Sequence, residues 1–220
     1  MPAKRSEPAS PPVRRRRNIS LRKASVRQEK SEKNRRAIIE AAARVVGRYG
    51  YEQASVARIT ARAKVAHGSF YTHFKSRQDL FDCLLPEIGD RLLEFIQANV
   101  DREAVGAARE EQRLRAYIKF LVENPWFQRL LNDSEVMAPK AHRVYFDRIA
   151  AGYANGLARG IARGEIRAFR HDELEYLAYI LMASRLYLAQ RYGFSNGSVT
   201  NLPEAAIRTY VKFVQRALFD

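Results

Sequence analysis

Residues 55–77, SVARITARAKVAHGSFYTHFKSR, gather side chains suited to contacting a phosphate backbone and base edges. His67, Ser69, Tyr71, Thr72 and His73 supply imidazoles and hydroxyls, short groups that donate or accept hydrogen bonds at close range. Gly68 removes a side chain where backbone can approach a ligand, and Arg58, Lys64 and Arg77 bring positive charge to the flanks. Val65, Phe70 and Phe74 are apolar at a spacing that pins one face to a core, whereas a generic amphipathic helix would expose Lys and Glu. Ser55 is a good N-cap for a short helix with Val56, Ile59 and Ala63 on one side. A tight turn over Ala63–Val65 then leads into a second short helix carrying Phe70 and Phe74. This is the pattern of a helix-turn-helix whose second helix enters the major groove of double-stranded DNA. The DNA-binding set expected is Ser55, Arg58, Lys64, His67, Gly68, Ser69, Tyr71, Thr72, His73 and Arg77.

The surrounding elements all read as helices. Ile38, Ala42, Val45, Val46 and Tyr49 recur at helical spacing and Gly50 follows as a stop signal. SRQD at Ser76–Asp79 is a capping-box pattern heading a long helix with a stripe of Leu80, Leu84, Ile88, Leu92, Phe95 and Ile96. Pro86 lies inside that stripe and is expected to remove one backbone bond and bend the helix. Further helices are expected over 109–123, 126–132, 139–164, 172–193 and 203–220. No strand alternation of useful length and no internal repeat occurs, so the fold class is all-α: an N-terminal three-helix domain with the helix-turn-helix, then a C-terminal helical domain.

Charge placement adds a partner. The chain of 220 residues carries a net +15, and residues 1–30 hold 10 basic and 2 acidic side chains, residues 31–80 hold 10 and 4, and residues 81–220 hold 19 and 18. The excess therefore belongs to the part that carries the helix-turn-helix, as a polyanion partner requires. Residues 1–30, with four prolines and the run Arg14, Arg15, Arg16 and Arg17, read as a disordered basic arm able to enter a flanking minor groove. Residues 31–77 read as the DNA-binding domain and 78–220 as a second domain, whose size and neutrality argue against the alternative of a nucleic-acid packaging or architectural protein without a discrete operator.

The signatures of other function classes are absent from the sequence. The four histidines, His67, His73, His142 and His171, show no metal-ligand spacing, and there is neither a Gly-rich phosphate loop nor a nucleophile signature. No enzyme activity, metal or cofactor is expected. The greasiest stretch, LAYILMAS from Leu177, ends at Arg185, far short of the roughly 20 apolar residues that span a bilayer. The single Cys83 excludes a disulfide framework, and the charged N-terminus is not a secretory signal, so a cytoplasmic protein without a membrane role is expected.

Residues 33–82 resemble the DNA-binding domain of TetR-family transcriptional regulators. The resemblance rests on Ser55, Ile59, Ala63, Val65, Gly68, Phe70, Tyr71, His73, Phe74 and Leu80 in matching order, and on the preceding segment IIEAAARVVGRYGYE. Three positions depart from the pattern: Lys64 replaces a turn glycine, Ala66 a capping serine and Arg77 a lysine. Lys64 is expected in a left-handed conformation at a cost of about 1 kcal/mol. The resemblance implies a homodimer formed by the last two helices, about 172–192 and 203–219, a palindromic operator, repression, and release by a small-molecule effector. The aromatic density of the C-terminal half suits a mixed pocket, with Tyr117, Leu121, Trp126, Tyr145, Ile149, Tyr179 and Arg185 as candidate liners. Arg185 interrupts the apolar stripe Leu174, Ala178, Leu181, Leu188. Two roles stay open for it, a paired structural arginine at the dimer interface or an anchor for a ligand carboxylate or phosphate. The second points to an acyl-CoA or a hydrophobic carboxylic acid.

Overall fold

The computed structural model describes the backbone of residues 13–195 and 198–220 and the side chains of residues 25–194 and 199–220. The described chain is a succession of helices: α1 (Val13–Gln53), α2 (Val56–Ala63), α3 (His67–Tyr71), α4 (Arg77–Ala98), α5 (Gly106–Glu123), α6 (Phe127–Met137), α7 (Pro139–Ala162), α8 (Leu174–Tyr192) and α9 (Glu204–Val214). The only extended pairing among the described residues is a two-residue antiparallel ladder, Phe194–Ser195 with Ser198–Val199. The all-α class holds.

α1 shows how sequence sets an element's limits. Ile38, Ile39, Ala42, Val45 and Val46 are buried along one side, and the helical path breaks at Gly50, whose φ of 80° is open mainly to glycine. At the other end, the helix begins directly after Pro12. Residues 13–30, expected to be unstructured, are therefore helical here, while residues 1–12 lie outside the described residues. The reason is that no Pro or Gly occurs between Val13 and Val46, and a helix nucleated by the packed segment propagates into Arg, Lys, Gln and Glu with little opposition. Ser25–Lys30 are exposed, so this part of the extension gains nothing from the core.

One hydrophobic cluster runs from Ile38 to Leu218 and joins the two halves. α6 packs along α1: Tyr51 Oη donates to the Leu130 carbonyl at 3.5 Å, and Arg129 Nη1 donates to the Arg48 carbonyl at 3.0 Å. α4 starts at the Ser76 cap expected from sequence, with Ser76 Oγ accepting from Asp79 N at 3.0 Å; the Asp79 carboxylate reaches past the N-cap to accept from Lys75 N at 2.8 Å, so the reciprocal bond of a capping box is replaced by one to the preceding residue. It is one helix through the buried Pro86, which has no N–H to give the Asp82 carbonyl. Arg35 on α1 forms a two-pronged ion pair with Glu87 on α4, tying that helix to the N-terminal domain.

Candidate nucleic-acid interface

The turn between α2 and α3 is built by backbone hydrogen bonds. Ser55 Oγ accepts from Arg58 N at 3.2 Å and caps α2. At the other end Lys64 N donates to the Ala61 carbonyl at 3.3 Å and Val65 N to the Thr60 carbonyl at 3.1 Å, the paired closure of a Schellman motif. Lys64 takes the left-handed conformation this closure needs (φ 56°, ψ 40°), as its place in the turn predicts, and is the only described non-glycine residue with positive φ. Its exposed ammonium thus stands at the entrance to α3. Ala66 occupies the N-cap of α3 with no side-chain hydrogen bond.

α3 is only one and a half turns long. Phe70 is buried at its centre, and Phe74 follows it into the core with the rings 5.4 Å apart. Thr72 and His73 lie beyond the end of α3, where His73 N and Phe74 N both donate to the Phe70 carbonyl at 2.9 and 3.0 Å. From sequence both are expected on the recognition helix, and the structure ends that helix at Tyr71. Two aromatic anchors four residues apart, followed at once by the extended cap Ser76, leave no room for another turn.

His67, Gly68, Tyr71 and Thr72 are exposed, and Ser69 and His73 are half-buried. The His67 and Tyr71 rings meet edge-on at 5.8 Å. Burial first, then the nearby Arg35 charge, lowers the His73 imidazole below its ordinary value of 6.5, so it presents a neutral ring at pH 7. A Cβ added at Gly68 would have no heavy atom within 4 Å, so no neighbour in the chain requires that glycine.

Arginines frame this surface. Arg48 and Arg58 stand over the Tyr49 ring at 5.2 and 4.5 Å, and Arg58 Nη1 also donates to the Gln53 carbonyl at 3.2 Å. Arg77 Nη1 donates to the Glu52 carbonyl at 3.2 Å, with its guanidinium over Phe81. Both are exposed and held in place by the end of α1. Arg14, Arg15, Arg16 and Arg17 fall on the first turns of α1, their side chains outside those described.

The expected pocket liners are not one group. Tyr117, Leu121 and Tyr145 are buried, with both phenols pushed up by burial, and the Tyr145 ring fills the space above Gly89 of α4. Ile149 is half-buried beside them in the same cluster. Trp126 instead rests on Gly47 of α1, and Tyr179 faces outward on α8 near Asp147. Arg185 is buried within the subunit, not at its surface. Its guanidinium donates to Glu110 and to the Tyr153 hydroxyl, and through Nε to Tyr210 Oη at 2.9 Å. Sequence reasoning missed Glu110, Tyr153 and Tyr210. Glu110 also accepts from Arg113 at 2.6 Å, and although burial alone would raise its carboxyl, Arg185 and Arg113 hold it below the usual carboxylate range.

Among the described residues no cluster of His, Cys, Asp or Glu could hold a metal ion, and no helix is long and apolar enough to cross a membrane.

Residues 38–84 match the family described as bacterial regulatory proteins of the tetR family. The chain is 38% identical over 61 residues to the A-factor receptor protein of Streptomyces griseus, covering 28% of this chain and 22% of that one. It is 33% identical over 67 residues to the fatty acid metabolism regulator protein of Bacillus subtilis, covering 30% and 34%. The similarity thus spans about a fifth and a third of the length of these two curated relatives. The fold extends the likeness. The crystal structure of a TetR-family transcriptional regulator from Haemophilus influenzae superposes with a TM-score of 0.66 at 18% identity, covering 88% of this chain and all of that one.

Proposed function

We propose that this chain, which belongs by its N-terminal domain to the TetR family of transcriptional regulators, is a homodimeric repressor that docks α3 in the major groove of a palindromic operator and is released by a small hydrophobic effector. Gly68 carries the reading. Glycine within a helix costs about 0.5–1 kcal/mol against alanine. Here that cost meets no need inside the chain, so the bare backbone serves something outside it. Lys64, His67, Ser69, Tyr71, Thr72 and His73 surround it with donors and charge, and Ser55, Arg58 and Arg77 hold the frame. Arg14–Arg17 on the extended α1 add phosphate contacts to flanking DNA.

The dimer reading rests on α8. Its inner side buries Leu174, Leu177, Ala178, Leu181 and Ala189, yet Tyr176, Ile180 and Tyr187 stand exposed on the opposite side, with Phe213 of α9. A helix apolar all round is normally covered on both sides. Two copies meeting through α8 and α9 cover it and pair two recognition helices, which calls for a two-fold operator in cytoplasmic DNA. The Bacillus relative is by name a regulator of fatty acid metabolism, in agreement with a hydrophobic carboxylic acid or its acyl-CoA as effector class. Tyr117, Leu121, Tyr145 and Ile149 are the liners best placed for an apolar body.

Sequencing of genomic fragments captured by the full chain, followed by footprinting, tests the reading. A discrete site with two-fold character is expected. Continuous protection without a discrete site would instead mark an architectural protein.

A further inference from the structure

The ligand chemistry can be carried further, and this step rests on the effector reading above. Arg185 is committed to Glu110, Tyr153 and Tyr210, so it is not a free anchor for an acidic effector. A different pair of guanidiniums is better placed. Arg113 of α5 and Arg159 of α7 converge on Gly156 of α7: a Cβ built there would lie 3.5 Å from Arg113 Nη2 and 3.9 Å from Arg159 Nη2. Glycine leaves that point empty, and two like charges face it from two different helices.

The neighbouring carboxylates do not resolve this convergence. Glu110 takes one nitrogen of Arg113, Nη1, and shares its charge with Arg185. Glu165, which follows the end of α7 and lies near Gly160, pairs with Arg163 at 2.5 Å and is held low by that bond, with a smaller contribution from Arg109. Arg159 makes no ion pair among the described residues. The strip formed by Arg109, Arg113, Arg159 and Arg163 thus carries more guanidinium than carboxylate, and the excess is concentrated at Gly156. Guanidiniums are planar forks suited to holding an oxyanion through paired hydrogen bonds. The Arg113 fork is already oriented, since its Nη1 is fixed by Glu110 and its guanidinium lies over the Tyr153 ring.

We propose that Arg113, Arg159 and the bare backbone at Gly156 form an oxyanion site between α5 and α7 that takes the carboxylate or phosphate of an acidic small-molecule effector. Its position gives it a route into the fold. Arg113 hydrogen-bonds Glu110, which is bonded to Arg185 of α8 and accepts from Tyr153 of α7, so an anion at Gly156 competes for the guanidinium that helps hold the buried pair in place.

The test uses the full chain, with inorganic phosphate and decanoate titrated separately against chloride at constant ionic strength and read by calorimetry and thermal unfolding. Arg159→Gln removes one donor without breaking an observed ion pair. Gly156→Ala places a methyl in the empty position at ordinary contact distance from Arg113. Arg143→Gln, at an exposed position four turns away on α7, is the charge-matched control. The wild type is expected to bind one of the two anions, whose identity distinguishes a phosphate from a carboxylate headgroup. Both site variants should weaken that binding at least tenfold, and the control should leave it unchanged. Equal binding by all four proteins would mean only a general counter-ion effect and overturns the site, as would no preference over chloride in the wild type. Operator affinity, measured on the same proteins without added anion, should not change. If the anion binds at Gly156 yet leaves operator affinity untouched, the site stands and its role in release fails. If a ligand still releases the operator from both variants, effector control stands and this site is wrong.

Discussion

Replacing Gly68 by alanine separates folding from DNA recognition. The added Cβ would have no heavy atom within 4 Å in the free protein, so it introduces no clash and buries nothing. The folded state gains the glycine-to-alanine helix preference, up to about 1 kcal/mol and less if the second position of a five-residue helix counts only in part. The chemical-denaturation midpoint should rise while its slope stays constant. On DNA the sign reverses. A methyl at the point of closest backbone approach holds α3 away from base edges and phosphates, and one lost contact of this kind costs about 1–3 kcal/mol. Each 1.4 kcal/mol is about tenfold in affinity, so operator binding should fall by about one to two orders of magnitude, measured by anisotropy at fixed salt. Opposite movements of stability and affinity are the expected signature. Parallel losses would mean that Gly68 is a structural glycine after all, and unchanged affinity would mean that α3 does not approach DNA there.

Tyr71→Phe and His73→Ala should each weaken operator binding by about 1–3 kcal/mol, seen as a shift in titration midpoint with unchanged circular dichroism. Removing residues 1–30 should flatten the salt dependence of binding, by about 1.8 per subunit in the slope of log K against log salt if two of the arginines at 14–17 meet phosphates on each subunit. Tyr187→Arg places a charge on the exposed side of α8 and should convert the dimer to monomer in sedimentation while leaving the helical content intact. Glu110→Gln leaves Arg185 buried without its carboxylate and should cost about 3–5 kcal/mol at pH 7. Because the folded carboxyl of Glu110 lies below its ordinary 4.5, this contribution is complete above that pH and is lost as pH falls through the folded value. The gap between wild type and variant should therefore close in acid.

The features legible in the sequence were those fixed by near neighbours. Ser55 and Ser76 cap helices through bonds within a few residues, and Gly50 breaks the helical path of α1 through its own positive φ. Lys64 adopts the left-handed turn for the same local reason. The limits of α3 and α6 were less accessible. α3 ends at Tyr71 because Phe70 and Phe74 must both reach a core supplied partly by α1 and α4, and no local signal announces that demand. α6 continues to Met137, past the expected end at Asn132, because its real stop is the junction before Pro139. The helical course of residues 13–30 was hidden by composition, since a charged segment without apolar period gives no sign of the packed helix that it continues.

Arg185 and its partner each leave a mark in the sequence. Its interruption of an apolar stripe was visible, but its partner lies 75 residues away on α5. That partner left a matching mark: Ala107, Glu110, Leu114, Tyr117 and Leu121 form the buried stripe of α5, broken by one carboxylate as α8 is broken by one guanidinium. A buried unpaired charge is too costly to keep, so two helices each carrying one such interruption, of opposite sign, are under pressure to place them together. The pairing was therefore legible in the two stripes, and it favours a structural role for Arg185 over an anchoring one. A guanidinium whose charge is balanced inside the subunit holds α5, α7, α8 and α9 to one another. At Gly156 the guanidiniums lack such balance, Arg113 in part and Arg159 among the described ion pairs entirely, and there they face open space that an anion can take.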